Sequence, residues 1–345
     1  MFNVLKVLSD LGYRVTFIGD NFEHIEPYDT ILEQSGIEIL YPPRIVSLQE
    51  YLLQSGHKFD IVMLSRPNIA KKHLKNIRKY CRNANIVFDT VDLRSLRMSR
   101  LAALKQDQRL SINAYLSKQT ELSVAKACDA TLVVSENEKN LLLDEIPSLN
   151  IHVVSGIFDI SLPEKGFSHR ENLMFLGSFS HLPNADGVGW FLKEIFPKIK
   201  EAIPGIKIFI VGENPIQDIQ ALSSDDVIFT GYVQDLYKLF NQCRVFVAPL
   251  RCGAGIKGKI YHSMSCGLPV VTTTIGAEGM GVIDGWNVLI ADDPALFSKK
   301  VIQLYQQEEL WNTLSRNSLE YIHNNHSFEK SKGHIRSVIE SIMMQ

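Results

Sequence analysis

Short apolar segments alternate with longer amphipathic ones along the chain, and this pattern constrains the fold more than any other feature. Most of the apolar segments are four or five residues long, rich in Val and Ile, and continuous rather than alternating. Such segments are typical of strands buried on both faces. They lie at Arg14–Ile18, Ile37–Leu40, Asp60–Leu64, Asn85–Phe88, Ala130–Val134, Leu173–Leu176, Lys207–Val211, Val227–Thr230, Val245–Ala248, Val270–Thr273 and Val288–Ile290. Helical patterns fill most of the gaps, so we predict an α/β fold with parallel, doubly wound sheets.

The chain has 345 residues, which at roughly 150 residues per domain indicates about two domains. Pro, Gly and charged residues interrupt the pattern near residues 155–171, after which a new series of strands and helices begins. We predict an N-terminal Rossmann-like domain over 1–160 and a second one over 161–326. A terminal helix within 327–345 is expected to pack back onto the first domain.

The first domain begins unusually, with a helical pattern at Phe2–Leu11 that precedes any strand. A doubly wound domain normally opens with a strand and a Gly-rich turn, so this domain is predicted to lack both. A second long helix, free of Gly and Pro, is predicted over Ser95–Cys128.

Composition excludes several classes of protein. The 36 basic and 38 acidic residues give a net charge of −2, which argues against nucleic-acid binding. The five cysteines form no CxxC pair, so reduced thiols are expected. There is neither a membrane-spanning apolar run nor a signal-peptide core, which favours a cytoplasmic protein.

The most informative segment is VFVAPLRCGAGIKGKIYHSMSCGLPVVTTTIGAEGMG, residues 245–281. A strand runs into a loop containing Gly253 and Gly255, and a helical pattern follows. A glycine-rich loop before a helix leaves backbone N–H groups and the positive end of the helix dipole available to an anion. Lys257 adds a full charge, and together these features suit a diphosphate. The alternative is a tight turn with a solvated lysine, and the pattern alone does not name a ligand.

This segment resembles the nucleotide-sugar-binding domain of GT-B glycosyltransferases, specifically the retaining group 1 (family 4) enzymes with a GxGIKxK motif. Further matches follow in the family's order over about 170–325: NLMFLGSFSHLPNADGVGWFLKEIFPKIK, VGE, FTGYVQDL and GAEGM. VFDTVDLRSLRMSR (87–100) and ATLVVSENEKNLL (130–142) match more weakly. The resemblance implies two Rossmann-like domains facing a cleft.

The resemblance also implies roles for individual residues. It places Gly177 and Ser178 beside the donor diphosphate, the backbone of Tyr232 and Val233 at the nucleobase, and Gly255, Ile256 and Lys257 at the pyrophosphate. His262 stands where relatives have a ribose-binding Glu, and Ala254 replaces the first Glu of their E-x₇-E pair. A histidine can still hydrogen-bond a ribose; the alternative is an ordinary helix-surface histidine. Lys257 and His262 are therefore the predicted catalytic residues.

The implied reaction is transfer of a hexosyl or deoxyhexosyl group from a nucleotide-diphosphate sugar to a glycan or lipid-linked acceptor. No two aspartates stand at i, i+2, so we expect Lys257 and helix amides, rather than a metal, to neutralise the leaving diphosphate. No cofactor is expected, and the expected process is surface polysaccharide or glycoconjugate synthesis. The alternatives are a non-catalytic nucleotide-sugar-binding subunit and a GT-B-fold sugar-nucleotide epimerase.

Charged residues follow the strand Asn85–Phe88, at the strand end where open α/β sheets bind ligands. We predict that they lie on the acceptor side: Asp89, Asp92, Arg94 and Arg97. Relatives often have His at Arg94. Alternatively, the two aspartates cap the helix that begins near Ser95.

Residues 66–109 contain twelve Lys or Arg against three Asp. Four of them form one stripe of a predicted helix: Lys71, Lys75, Arg78 and Arg82. This stripe predicts docking to an anionic membrane surface, which would place the protein at the inner face of the plasma membrane. The alternative is a solvated helix face.

Overall fold

The structure is a computed structural model that describes residues 2–213, 215 and 217–344. Within these residues the strands are β1 (Thr16–Ile18), β2 (Glu38–Leu40), β3 (Ile61–Ser65), β4 (Asn85–Asp89), β5 (Ala130–Val133), β6 (Ile151–Val153), β7 (Leu173–Leu176), β8 (Ile208–Val211), β9 (Val227–Gly231), β10 (Val245–Ala248), β11 (Val270–Thr272) and β12 (Leu289–Ile290). All eleven predicted strands are present to within two residues at each end. The α/β class is confirmed, and β6 is an additional strand.

The helices are α1 (Phe2–Asp10), α2 (Tyr28–Gln34), α3 (Leu48–Ser55), α4 (Pro67–Tyr80), α5 (Arg94–Lys105), α6 (Gln108–Ala127), α7 (Glu136–Glu145), α8 (Leu182–Trp190), α9 (Phe196–Ala202), α10 (Gln217–Gln220), α11 (Leu236–Gln242), α12 (Gly258–Ser265), α13 (Thr274–Ala277), α14 (Pro294–Gln306), α15 (Glu308–His326) and α16 (Phe328–Met343). In the described part of the chain, none of them is long and apolar enough to span a membrane.

The chain divides into two compact units. The first contains the residues up to Leu96, Ser111–Ile157 and the residues from Phe328 onward. The second contains Arg97–Leu110 and Phe158–Ser327. The division therefore falls three residues before the predicted boundary at 160. It also differs from the prediction in one respect, because the segment Arg97–Leu110 groups with the second unit.

The first unit opens with α1, before any strand, as the sequence indicated. Its strands form two parallel sheets, β1-β2 and β3-β4-β5-β6. The terminal helix α16 packs on the second sheet, where Val338 and Ile342 join Val87 in one buried cluster. The amide of Asn85 also donates a hydrogen bond of 2.9 Å to the Ile342 carbonyl.

The second unit is a single parallel sheet in the order β12-β11-β10-β7-β8-β9, packed between helices. From β7 the chain continues to β8 and β9 on one side. It then returns to β10 on the other side of β7 and continues to β11 and β12. This reversal makes the carboxyl ends of β7 and β10 the topological switch point, which is where open α/β sheets bind ligands.

The predicted long helix over Ser95–Cys128 is wrong, because the structure divides it into α5 and α6. Gln106 adopts a left-handed conformation with φ of +51°, which ends α5 without a glycine. The carboxylate of Asp107 then accepts hydrogen bonds from the amides of Arg109 (2.8 Å) and Leu110 (3.2 Å). The chain thus changes direction at Gln106 and Asp107, where α6 receives its own cap.

Candidate functional site

The glycine-rich loop lies at the switch point of the second unit, between the end of β10 and the start of α12. Gly253 and Gly255 have φ of +150° and +66°, conformations that disfavour any side chain. The loop is thereby turned so that α12 begins at Gly258, directly after Lys257. Ile256 anchors the loop by packing against the apolar cluster under the helix. The predicted loop-before-helix geometry is present.

Lys257 is unusually buried for a lysine, with only 7% of its surface exposed. Its Nζ lies 3.4 Å from the main-chain carbonyl of Glu278, to which it donates. Its positive charge also contributes to lowering the pKa of Glu278. The structure therefore holds one ammonium group at the start of α12, where the helix dipole is also positive.

A second lysine, Lys259 on α12, extends its side chain to the end of β7. Its Nζ donates to the side-chain oxygen of Asn184 at 2.5 Å and sits 4.3 Å from the Phe175 ring centroid. A Cβ added at Gly177 would lie only 2.5 Å from this Nζ and 2.6 Å from Asn184 Nδ2. A side chain at position 177 would therefore displace Lys259 or Asn184. Burial lowers the pKa of Lys259 to about 7.

His181, directly before α8, is influenced by two cations. Desolvation, together with the charges of Arg97 and Lys259, lowers the pKa of His181 to about 4, although the residue is exposed. Asn184 links this turn to β7, because its amide donates to the Ser178 carbonyl at 2.7 Å. A positive potential around a neutral histidine is the environment an anionic ligand prefers.

The other predicted donor-side residues surround the same sheet edge. Ser178 is exposed after β7, Tyr232 is 69% exposed after β9, and Val233 packs beside α11 and α12. His262 lies on α12 with its ring 4.7 Å from that of Phe240, and burial lowers its pKa. The imidazole is therefore neutral at pH 7 and offers one donor and one acceptor. Ala254 is part of the loop itself.

Sequence reasoning missed two residues at this loop. Arg100, on α5, donates to the Gly253 carbonyl at 2.8 Å and to both carboxylate oxygens of Glu278 at 2.6 and 2.7 Å. These hydrogen bonds are the main reason that the pKa of Glu278 is lowered. The available signal was the GAEGM motif, which contains Glu278 but does not indicate its partner.

The predicted acceptor-side residues lie between the end of β4 and the first turn of α5. Asp89, Asp92 and Arg94 belong to the first unit, whereas Arg97 belongs to the second. Asp89 is buried at the end of β4, accepts from Ser65 at 2.9 Å and from the Val91 amide at 3.1 Å, and burial raises its pKa. Asp92 is half-buried and Arg94 is exposed.

The amides near the start of α5 are held by two buried glutamates, Glu121 and Glu138, each 2% exposed. Glu121 accepts from the amide of Ser95 at 3.0 Å and also from its hydroxyl. Glu138 accepts from the amide of Leu93 at 3.0 Å. These contacts, which the sequence did not reveal, satisfy backbone amides at the start of α5.

The basic stripe is only partly as predicted. Lys71 and Lys75 are exposed on α4, but Arg82 lies beyond the end of that helix at Tyr80. Arg78 makes two hydrogen bonds of 2.9 Å to the Asp129 carboxylate and a third to the Ala127 carbonyl. All four residues are exposed, but the Asp129 carboxylate offsets the charge of Arg78.

Comparison with solved structures defines the fold. The chain matches Anabaena Alr3699/HepE, solved in complex with UDP-glucose, with a TM-score of 0.76 and 14% identity over 98% of this chain and 95% of that one. It matches TarM with a TM-score of 0.70 and 15% identity, covering 86% of this chain and 57% of TarM. The fold is that of the GT-B glycosyltransferases.

Comparison of the sequence with family models and with curated proteins gives further matches. The model for "Glycosyl transferases group 1" matches residues 170–307. The uncharacterized glycosyltransferase MJ1069 of Methanocaldococcus jannaschii is 20% identical over 98% of this chain and 99% of its own length. Residues 170–307 thus match the group 1 glycosyltransferases, the family to which the sequence shows a resemblance.

Two further relatives are matched only in part. MJ1178 of M. jannaschii is 27% identical over 62% of this chain, which spans 60% of that protein. An uncharacterized 44.6 kDa protein in the cps region of Klebsiella pneumoniae is 27% identical over 47% of this chain. The chain spans 44% of the Klebsiella protein.

Proposed function

We propose that this protein transfers a hexosyl or deoxyhexosyl group from a nucleotide-diphosphate sugar to a hydroxyl of a glycan or lipid-linked acceptor. The transfer proceeds with retention at the anomeric carbon and without a metal ion. The product contributes to a surface polysaccharide or glycoconjugate. Lys257, His262 and the residues around the switch point bind the donor.

One observation carries the proposal: the buried Lys257 ammonium at the start of α12, within the glycine-rich loop at the switch point. A buried lysine is energetically costly unless something offsets the loss of hydration. The hydrogen bond to the Glu278 carbonyl provides part of that compensation, and a diphosphate against this ammonium and the first amides of α12 adds to it. Lys259, two residues further along the chain, provides a second positive charge for the same anion.

The positive charges of Lys257 and Lys259 matter most in the transition state of the transfer. When the bond between the anomeric carbon and the diphosphate oxygen breaks, the negative charge on the leaving diphosphate increases. Positive groups fixed in advance stabilise that charge more in the transition state than in the bound donor. In the retaining reaction the acceptor hydroxyl attacks from the same face and its proton passes to the departing phosphate oxygen.

The relatives support the choice of substrates. Alr3699/HepE was solved with UDP and glucose, and TarM with UDP and alpha-GlcNAc-glycerol. The Klebsiella relative is encoded in a cps region, which supports a role in polysaccharide synthesis. The exposed Lys71 and Lys75 of α4 support a peripheral location at an anionic membrane surface.

The test begins with binding and continues to turnover. We expect one of UDP, GDP or ADP to raise the melting temperature of the protein, and the matching sugar nucleotides to be consumed with a suitable acceptor. NMR of the product should show the donor's anomeric configuration, and EDTA should leave the rate unchanged. Inversion or loss of activity in EDTA would contradict the proposed mechanism.

Ala254 favours a second candidate, a subunit that binds a nucleotide sugar without transferring it. The family's carboxylate is absent at this position, and His262 replaces the other one. Nucleotide binding without any product across the donor panel would support this second function against the first.

A further inference from the structure

Helix α6 of the first unit presents an apolar surface to solvent. Ile112, Tyr115 and Leu116 stand at i, i+3 and i+4, so they share one face of the helix. Their exposed fractions are 61%, 63% and 56%, and we call these three residues the α6 patch. The residues that α6 buries lie on its other side: Ala114, Glu121, Val124 and Ala125. A cluster of apolar side chains on an exposed helix face is typical of a docking surface.

The charges that accompany the α6 patch are positive. Lys126 is exposed and follows Ile112 by fourteen residues, about four helical turns, which returns it to the same face. The one acidic residue in the sequence of α6 is Glu121, which is 2% exposed and accepts from the Ser95 amide. The sequence of the neighbouring helix α4 contains no Asp or Glu, and its Lys71 and Lys75 are exposed. An anionic partner therefore suits this surface.

The α6 patch lies at the carboxyl edge of the sheet β3-β4-β5-β6. Helices α4 and α6 share a buried cluster with this sheet, and they run in the same direction, because α4 leads into β4 and α6 into β5. Near their C-terminal ends, Arg78 donates to the Ala127 carbonyl. The same length of helix, about 16 Å, separates Arg78 from Pro67 and Ala127 from Leu116. Leu116 is thus level with the start of α4, which follows the end of β3.

Charge decides which occupant suits the α6 patch. A two-fold contact between two copies of the chain would place this surface against itself, so the lysines of one copy would face those of the other. An anionic lipid bilayer offers negative headgroups to the lysines and an apolar interior to the patch. Helices that lie in the bilayer surface combine these same features, and tyrosine is enriched at that depth.

We propose that the α6 patch inserts into the surface of an anionic lipid bilayer, with Lys71, Lys75 and Lys126 against the lipid headgroups. The inference rests on the proposed function and deepens it, because the carboxyl edge of the first unit's sheet then lies at the membrane. Open α/β sheets bind ligands at that edge. The acceptor is therefore a lipid-linked molecule embedded in the same bilayer and not a soluble glycan.

Flotation of the full chain with lipid vesicles tests the insertion. The vesicles are phosphatidylcholine alone and phosphatidylcholine with about one third phosphatidylglycerol, each at low salt and at about 0.5 M NaCl. We expect the wild type to bind the anionic vesicles, and Ile112→Ser combined with Leu116→Ser to bind them about tenfold or more weakly. Salt screens the lysines, so the wild type should keep part of its binding at high salt and the double variant should keep none.

The matched control removes two exposed apolar side chains from the second unit. Ile283 and Leu296 are 58% and 44% exposed, and Ile283→Ser combined with Leu296→Ser should float as the wild type does. Both double variants should keep the wild-type melting temperature, because the altered side chains are exposed. Tyr115→Trp adds a direct readout: brominated lipids should quench its emission beyond that of the three native tryptophans.

Two outcomes would overturn the proposal. One is equal flotation of the wild type and the Ile112→Ser, Leu116→Ser variant at both salt concentrations. The other is a wild-type dimer that this variant converts to a monomer in sedimentation velocity, since the α6 patch would then be a contact between copies. Either result leaves nucleotide binding and sugar transfer, which are measured without vesicles, as they were. Flotation as expected by a protein that binds no nucleotide would instead defeat the proposed function.

Discussion

The protonation of Lys259 gives a quantitative prediction about donor binding. Burial lowers its pKa to about 7, so the free protein carries this lysine roughly half protonated at neutral pH. A diphosphate next to Nζ stabilises the charged form and raises that pKa. Binding therefore takes up a proton above pH about 7, and linkage requires the affinity for a sugar nucleotide to fall as the pH rises.

The size of the effect follows from the pKa. With a value near 7, the protonated fraction of Lys259 falls from about 0.76 at pH 6.5 to about 0.03 at pH 8.5. If only the protonated form binds, the dissociation constant rises about 25-fold over that range. The two phosphates of a sugar nucleotide do not titrate there, and His181, with its pKa lowered to about 4, stays neutral throughout.

Titration calorimetry at pH 6.5, 7.5 and 8.5, in buffers of different ionisation enthalpy, measures both the affinity and the protons taken up. Lys259→Arg is the matched control, because arginine keeps its charge over the whole range and its profile should be nearly flat. A constant wild-type dissociation constant with no proton uptake between pH 7 and 8.5 would refute the reasoning.

Four further predictions follow from the structure. Gly177→Ala should weaken diphosphate binding by about tenfold or more, because its Cβ would lie 2.5 Å from Lys259 Nζ. Gly166 has open space around it, so the control Gly166→Ala should bind normally in the same titration. Glu121→Ala should lower the free energy of unfolding by about 1–3 kcal/mol in urea melts, since it leaves the Ser95 amide unpaired. The control Glu136→Ala, at an exposed position, should change that free energy by less than about 0.5 kcal/mol. The free energy of unfolding of the wild type, relative to Lys259→Met, should rise between pH about 7 and about 10. In this range Lys259 is protonated in the unfolded chain but largely neutral in the folded one, so the unfolded chain binds more protons. Equal pH profiles of the two proteins in urea melts would contradict this. Lys71→Ala combined with Lys75→Ala should reduce flotation with anionic vesicles, and equal recovery of the wild type on neutral and anionic vesicles would remove the membrane prediction.

Most of the fold could be predicted because buried parallel strands have a simple sequence pattern. The missed strand, β6, is only three residues long, and His152 interrupts its apolar character. The break between α5 and α6 has no clear sequence signal, because Gln106 adopts the left-handed conformation that glycine usually adopts at the end of a helix. Local patterns thus indicate an element's type better than the place where it ends.

The candidate site was predictable where its geometry is local. Gly255 and Lys257 lie in one loop before one helix, and their spacing alone indicates an anion site. The contacts of Arg100 could not be anticipated, because Gly253 and Glu278 are 153 and 178 residues away along the chain. Likewise, the grouping of Arg97 with the second unit depends on how α5 packs, which no spacing records.

The central claim is that Lys257 and its loop bind the diphosphate of a sugar-nucleotide donor. Titration calorimetry of wild type and Lys257→Ala with UDP, GDP and ADP tests it most directly. We predict that the wild type binds one of them and that Lys257→Ala binds it at least about 30-fold more weakly, the loss of about 2 kcal/mol expected for a charged hydrogen bond. Equal affinity of the two proteins would contradict the account.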